Sequence, residues 1–149
     1  MKLNKLKTAM TVAEAVSKDS HDTRTQVGAV LVRKDSGAII GTGFNGFIRG
    51  APDDRLPNYG DDKHEFMQHA EKNLMSNCIR EGISARDCIV VCTHSPCSDC
   101  ARFLWQCGIT EVVCKHVHNT FSDCLLMDDL NVSSRADGNF TYIEYSRKI

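Results

Sequence analysis

At 149 residues the chain has the length of one domain and can bury a real core without disulfide staples. A composition of 42% hydrophobic and 25% charged residues excludes a disordered segment, and a net charge of −1 argues against a protein that grips a long polynucleotide, which needs a clear Lys/Arg excess. No stretch approaches the roughly 20 apolar residues of a membrane span, and Glu14 interrupts the apolar block that a signal peptide would need, so a cytoplasmic location is expected.

Leu3, Leu6, Ala9, Met10, Ala13 and Val16 recur at helical spacing and predict an amphipathic helix over 3–18. VGAVLV (27–32) and AIIGTGF (38–44) are β-rich runs joined by KDSG, which reads as a hairpin turn. Residues 45–63 hold three Gly, two of the three Pro and four Asp, and are expected to form a long ordered loop of the functional kind. A helix is predicted over 65–81, ending at Gly82, and CIVVCT (88–93) is a buried strand. PCSDCARFLWQCG (96–108) opens on Pro and closes on Gly, as helices do, with Phe103 and Trp105 expected in the core. A strand over 111–115, a short helix over 121–130 and a last strand over 140–145 complete the order α-β-β-α-β-α-β-α-β. The alternation in the second half implies parallel strands, and the whole implies an α/β fold in three α/β/α layers around a five-stranded mixed sheet.

Eight cysteines are many for such a chain, but several lie inside apolar runs, where a reduced thiol is a small buried hydrophobe. Only Cys97 and Cys100 form a C-x-x-C pair, preceded by Pro96, and His69-Ala70-Glu71 forms an H-x-E. Together these match the signature of zinc nucleobase deaminases. One imidazole and two thiolates suit Zn²⁺, and three protein ligands leave the fourth tetrahedral position open, the catalytic pattern. Cys97 and Cys100 are three apart and share a helix face, whereas His69 and Glu71, two apart, can both meet a metal only at a helix start. The working helix should therefore begin near His69, and two helix N-termini should converge on the metal, with Glu71 free to move protons.

Two other readings of the motif stand beside this one. A thioredoxin-like redox pair would normally follow the first strand, whereas this C-x-x-C follows the third. A closed structural zinc site could recruit His94 as a fourth ligand, although Pro96 holds Ser95 extended and should turn His94 elsewhere. His21, His64, His116 and His118 have no metal-type spacing and are expected on the surface or in loops.

With TQVGAVLV (25–32), GTGFNGFIRGAPDD (41–54), HAEKNLM (69–75), THSPCSDCAR (93–102) and CGITEVV (107–113), the chain resembles the cytidine deaminase-like superfamily, and within it the deoxycytidylate (dCMP) deaminases. The resemblance covers roughly 5–145. It implies one domain over 1–149 that binds Zn²⁺ through His69, Cys97 and Cys100. The implied activity is hydrolytic deamination of dCMP to dUMP, feeding thymidylate synthesis, with Glu71 as general acid/base. It further implies that the Ser95 carbonyl and the Ala70 N–H hold the base edge and that Asn45 contacts the sugar, while Asn73 braces the loop. Arg24, then Arg49, are the candidates for the 5′-phosphate. The expected partner is a small deoxynucleotide, with no polynucleotide and no membrane, in a homo-oligomer that is hexameric by resemblance. Ala51 stands where many members carry Cys, so a second, structural zinc is not expected. Related small substrates (dCTP, a cytidine nucleoside, a modified cytosine nucleotide) and a non-catalytic zinc-stabilised module are the alternatives.

Overall fold

The computed structural model describes residues 1–58 and 60–149. Helix α1 (Leu3–Ser17) leads into the hairpin β1 (Gly28–Arg33) and β2 (Ile39–Phe44), followed by a long loop that carries a 3₁₀ turn at Asp61–Glu65. Then come α2 (Ala70–Arg80), β3 (Cys88–His94), α3 (Ser98–Gln106), β4 (Glu111–His116), the single-turn α4 (Phe121–Cys124), and a second hairpin, β5 (Asn131–Ala136) and β6 (Thr141–Ser146). Among the described residues no helix is long and apolar enough to cross a membrane.

Among the described residues the sheet has six strands in the order β2-β1-β3-β4-β6-β5, one more than the five expected. The additional strand, β5, is an exposed edge strand paired antiparallel to β6. Its NVSSRA sequence lacks the apolar alternation that marks a half-buried strand. This hairpin also corrects the expected parallel pairing of the second half: β3 and β4 are parallel, but β6 meets β4 antiparallel.

Helix α1 packs on one face and α2 with α3 on the other, giving three layers. Leu6, Ala9, Met10 and Ala13 of α1 meet Val30 and Val32, while Leu74, Met75 and Leu104 of α2 and α3 meet Ala29 and Leu31 from the opposite side of β1. With both faces covered, β1 and β3 become near-continuous apolar runs. Phe103 and Trp105 are only half-buried, packed against the rim of the core rather than within it. Glycine permits the close approach of α2: a Cβ at Gly43 would lie 2.4 Å from the Leu74 backbone nitrogen. The predicted helix over 121–130 shrinks to four residues, and two of its remaining apolar residues, Met127 and Leu130, reach the core from irregular chain.

Candidate active site

The metal-type residues sit at the two places the helix-start argument requires. His69 is the N-cap of α2 and Cys97 the N-cap of α3, both in extended conformation. Helix α2 thus starts at Ala70, later than the expected residue 65, because the 3₁₀ turn ends at Glu65 and Gln68 then pairs with Gly46 in an extended bridge. The Cys97 sulfur accepts from the Cys100 backbone N–H at 3.4 Å, so this metal-type residue also caps its own helix.

His69 Nδ1 lies 3.2 Å from Cys100 Sγ and 3.6 Å from Cys97 Sγ. One ligand atom from each of the three residues falls within 4.8 Å of the other two, and no further His, Cys, Asp or Glu joins the group among the described residues. His94 lies apart: its Nδ1 is 2.8 Å from Thr93 Oγ1, and its ring packs against His116 and His118. The donor set of one imidazole and two sulfurs, three rather than four, fits a zinc ion with an open coordination position. The Cys100 thiol donates to Cys97 and holds its thiol down at about 4 against the opposing effect of burial, with His69 adding to the lowering. The converse interaction, together with burial, pushes the Cys100 thiol up. The hydrogen bond with Cys97 raises His69 against the opposing effect of burial.

Glu71 is 4% exposed, on the first turn of α2. Burial raises its carboxyl above the usual range, which suits a group that must both take and give a proton. Glu71, His69 and Cys97 line a cavity of about 300 Å³, together with Ala70, Ser95 and Asn45. The Ser95 N–H donates to His116 O at 2.8 Å and its hydroxyl accepts from the His118 N–H at 2.9 Å, so both are committed to the end of β4. Asn45 ties β2 to the start of β1, donating to Thr25 O at 2.9 Å and accepting from the Val27 N–H at 2.8 Å. The second N–H of its amide remains for a ligand. Asn73 donates to Phe44 O at 2.8 Å and braces the end of β2 and the start of the loop.

The two arginines lie elsewhere. Arg24 is exposed, and only its neighbours Asp22 and Thr25 line the cavity. Arg49 is exposed beside α2, hydrogen-bonded to Asn77 in a separate groove. The cavity instead holds Lys63, whose Nζ lies 2.6 Å from the buried Asp22 carboxylate. His64 and His118, expected as plain surface or loop residues, also line it, with Thr120. The sequence did carry one signal for His118 and Thr120. They follow β4, whose C-terminal end lies beside that of β3, and ligands of open α/β sheets bind at the carboxyl ends of their strands.

Residues 3–116 match the family described as the cytidine and deoxycytidylate deaminase zinc-binding region. Among curated proteins, the deoxycytidylate deaminase of Homo sapiens is 34% identical over 110 residues, covering 70% of this chain and 60% of that protein. The probable deoxycytidylate deaminase of Caenorhabditis elegans is 36% identical over 114 residues, covering 74% and 56%. The chain thus spans about 60% of the length of such relatives. Among solved structures, the dCMP deaminase of cyanophage S-TIM5 in complex with dCMP and dUMP superposes with a TM-score of 0.71 at 30% identity, covering 84% of this chain and 92% of that one.

Proposed function

The chain belongs to the family of cytidine and deoxycytidylate deaminases, and from that premise we propose that it hydrolyses dCMP to dUMP and ammonia. One observation carries the reading: a fully buried carboxylate, Glu71, stands two residues after His69 in the same cavity as an open His-Cys-Cys donor set. His69, Cys97 and Cys100 would hold zinc, and a zinc ion there supplies a Lewis acid that makes water nucleophilic near neutral pH.

The remaining work falls to the chain's own residues. Glu71 takes a proton from the attacking water and delivers it to N3 of the cytosine, which makes C4 electrophilic. Oxygen bonds to C4, Glu71 takes the remaining hydroxyl proton and passes it to the exocyclic amine, and the C4–N bond breaks as the C4 carbonyl forms, releasing ammonia. The Ala70 N–H, at the open N-terminus of α2, and the Ser95 carbonyl hold the base edge, and the spare amide N–H of Asn45 meets the sugar. The enzyme acts in the cytoplasm as a homo-oligomer, a hexamer by its resemblance to the family.

The test is ammonia release by the zinc-loaded protein from dCMP, CMP, dCTP and deoxycytidine in parallel. Turnover should be fastest on dCMP. No release from any of the four by protein with one zinc per chain would leave a non-catalytic zinc module instead.

A further inference from the structure

The walls of the cavity divide by chemistry. His69, Cys97 and Glu71 form the reacting end, and the base must face them for Glu71 to reach N3. What remains for the 5′ end of a nucleotide is the Asp22 carboxylate, engaged by Lys63, and a set of hydrogen-bond donors: Lys63 and His64 from the 3₁₀ turn, Thr25 ahead of β1, and His118 and Thr120 beyond β4. Lys63 is the one Lys or Arg among the described lining residues.

Lys63 is not an ordinary surface lysine. Its side chain is 11% exposed and that of Asp22 3%. Asp22 is itself held through both oxygens: Oδ2 takes the ammonium, and Oδ1 accepts the backbone N–H groups of Arg24 at 2.8 Å and Thr25 at 2.9 Å. The Asp22 N–H is held by Ser20 Oγ, which in turn donates to Asn45 O at 2.6 Å. The carboxylate is therefore a fixed bracket, tied to the residue assigned to the sugar. The ammonium has three N–H donors, and its hydrogen bond to Asp22 is the one it makes among the described residues. Two donors on a held, largely desolvated cation are left at the cavity wall, where a charge-assisted bond to an anion is strong.

We propose that Lys63, braced by Asp22, is the residue that selects a 5′-monophosphate, taking the phosphate together with the hydroxyls of Thr25 and Thr120. This assigns to Lys63 the role for which Arg24 and Arg49 were the candidates, and it rests on the deaminase reading above. Arg24 contributes its backbone N–H to the bracket and its side chain to solvent.

The test uses the zinc-loaded protein and two readouts: calorimetric binding of dUMP against deoxyuridine, and kcat/KM on dCMP against deoxycytidine. Lys63→Met should weaken dUMP binding by roughly 10- to 100-fold and narrow the dCMP preference by a similar factor, chiefly through KM. Lys63→Arg should recover part of the loss, since the charge is kept and the geometry changed. Where Lys63→Met melts because Asp22 is left unpaired, the double variant Lys63→Met with Asp22→Asn removes the orphaned charge and should show the same loss of selectivity. Arg24→Ala should keep the parent's preference. Folded Lys63 variants that bind dUMP within twofold of a parent active on dCMP would overturn this inference alone. A parent that releases no ammonia from dCMP would overturn the deaminase reading and this inference with it.

Discussion

Replacing Gly43 by alanine should damage the reaction from outside the cavity. The added Cβ would lie 2.4 Å from Leu74 N, 2.6 Å from Leu74 Cα and 3.0 Å from Ala70 O, all backbone atoms of α2. Ordinary contact begins near 3.4 Å, so the helix must retreat by about 1 Å, because no side chain can swing aside to make room. Overpacking of this kind costs about 1–3 kcal/mol. Ala70 sits between His69 and Glu71, so the retreat moves a metal-type residue and the proton carrier relative to Cys97 and Cys100 on α3. A displacement of about 1 Å at reacting groups can cost on the order of a hundredfold in rate. Urea unfolding of the zinc-loaded protein and kcat at saturating dCMP read the two effects. Thr42→Ala, at the exposed neighbouring position on β2, is the control and should stay within about 0.5 kcal/mol of the parent. A Gly43→Ala protein of parental stability and turnover would refute the close-approach argument.

His69→Ala and Cys97→Ser should each lose bound zinc on dialysis, and lose thermal stability with it, since metal binding free energy supports the folded state. Retention of one zinc per chain at parental affinity would show that the ligand set is misassigned. In the β5–β6 turn, Asp137 accepts the N–H groups of Phe140 at 3.0 Å and Asn139 at 2.8 Å and the Tyr142 hydroxyl at 2.7 Å. These bonds, that of the Phe140 N–H first, hold its carboxyl down at about 2. Because the folded value lies below the unfolded one of about 4, the stabilisation is complete above that pH and is lost as pH falls through 2. A carboxyl ¹³C titration should show the midpoint near 2, and a midpoint near 4 would mean the turn is not held by this side chain.

The legible parts of the fold were those whose signal is local. β1 and β3 are apolar because helices cover both faces, and α1 shows its buried stripe at helical spacing. β5 was illegible because an exposed edge strand such as Asn131–Ala136 buries almost nothing and so carries no pattern. The stretch after Phe121 misled in the opposite direction. Leu125, Leu126, Met127 and Leu130 look like a helical stripe, yet Leu126 is 81% exposed and only Met127 and Leu130 are buried.

At the site, the spacing of His69 and Glu71 was informative because residues two apart cannot share a helix face, which placed both at a helix start. The Asp22–Lys63 pair at the cavity wall was not legible. Asp22 and Lys63 are 41 residues apart, and their pairing depends on how the long loop folds back against the segment that precedes β1. Nothing in either local segment distinguishes Lys63 from a solvated lysine, whereas Arg24, nearer to a strand and more conspicuous, turns outward.

Glu71→Gln tests the central claim most directly, because glutamine keeps the shape of the side chain while removing the proton carrier. Zinc content and ammonia release from dCMP should be measured on the same preparation of this variant and its parent. One zinc per chain in both, with turnover lowered at least about a hundredfold in the variant, is the outcome the mechanism requires. Parental turnover from a Glu71→Gln protein with full zinc would contradict it.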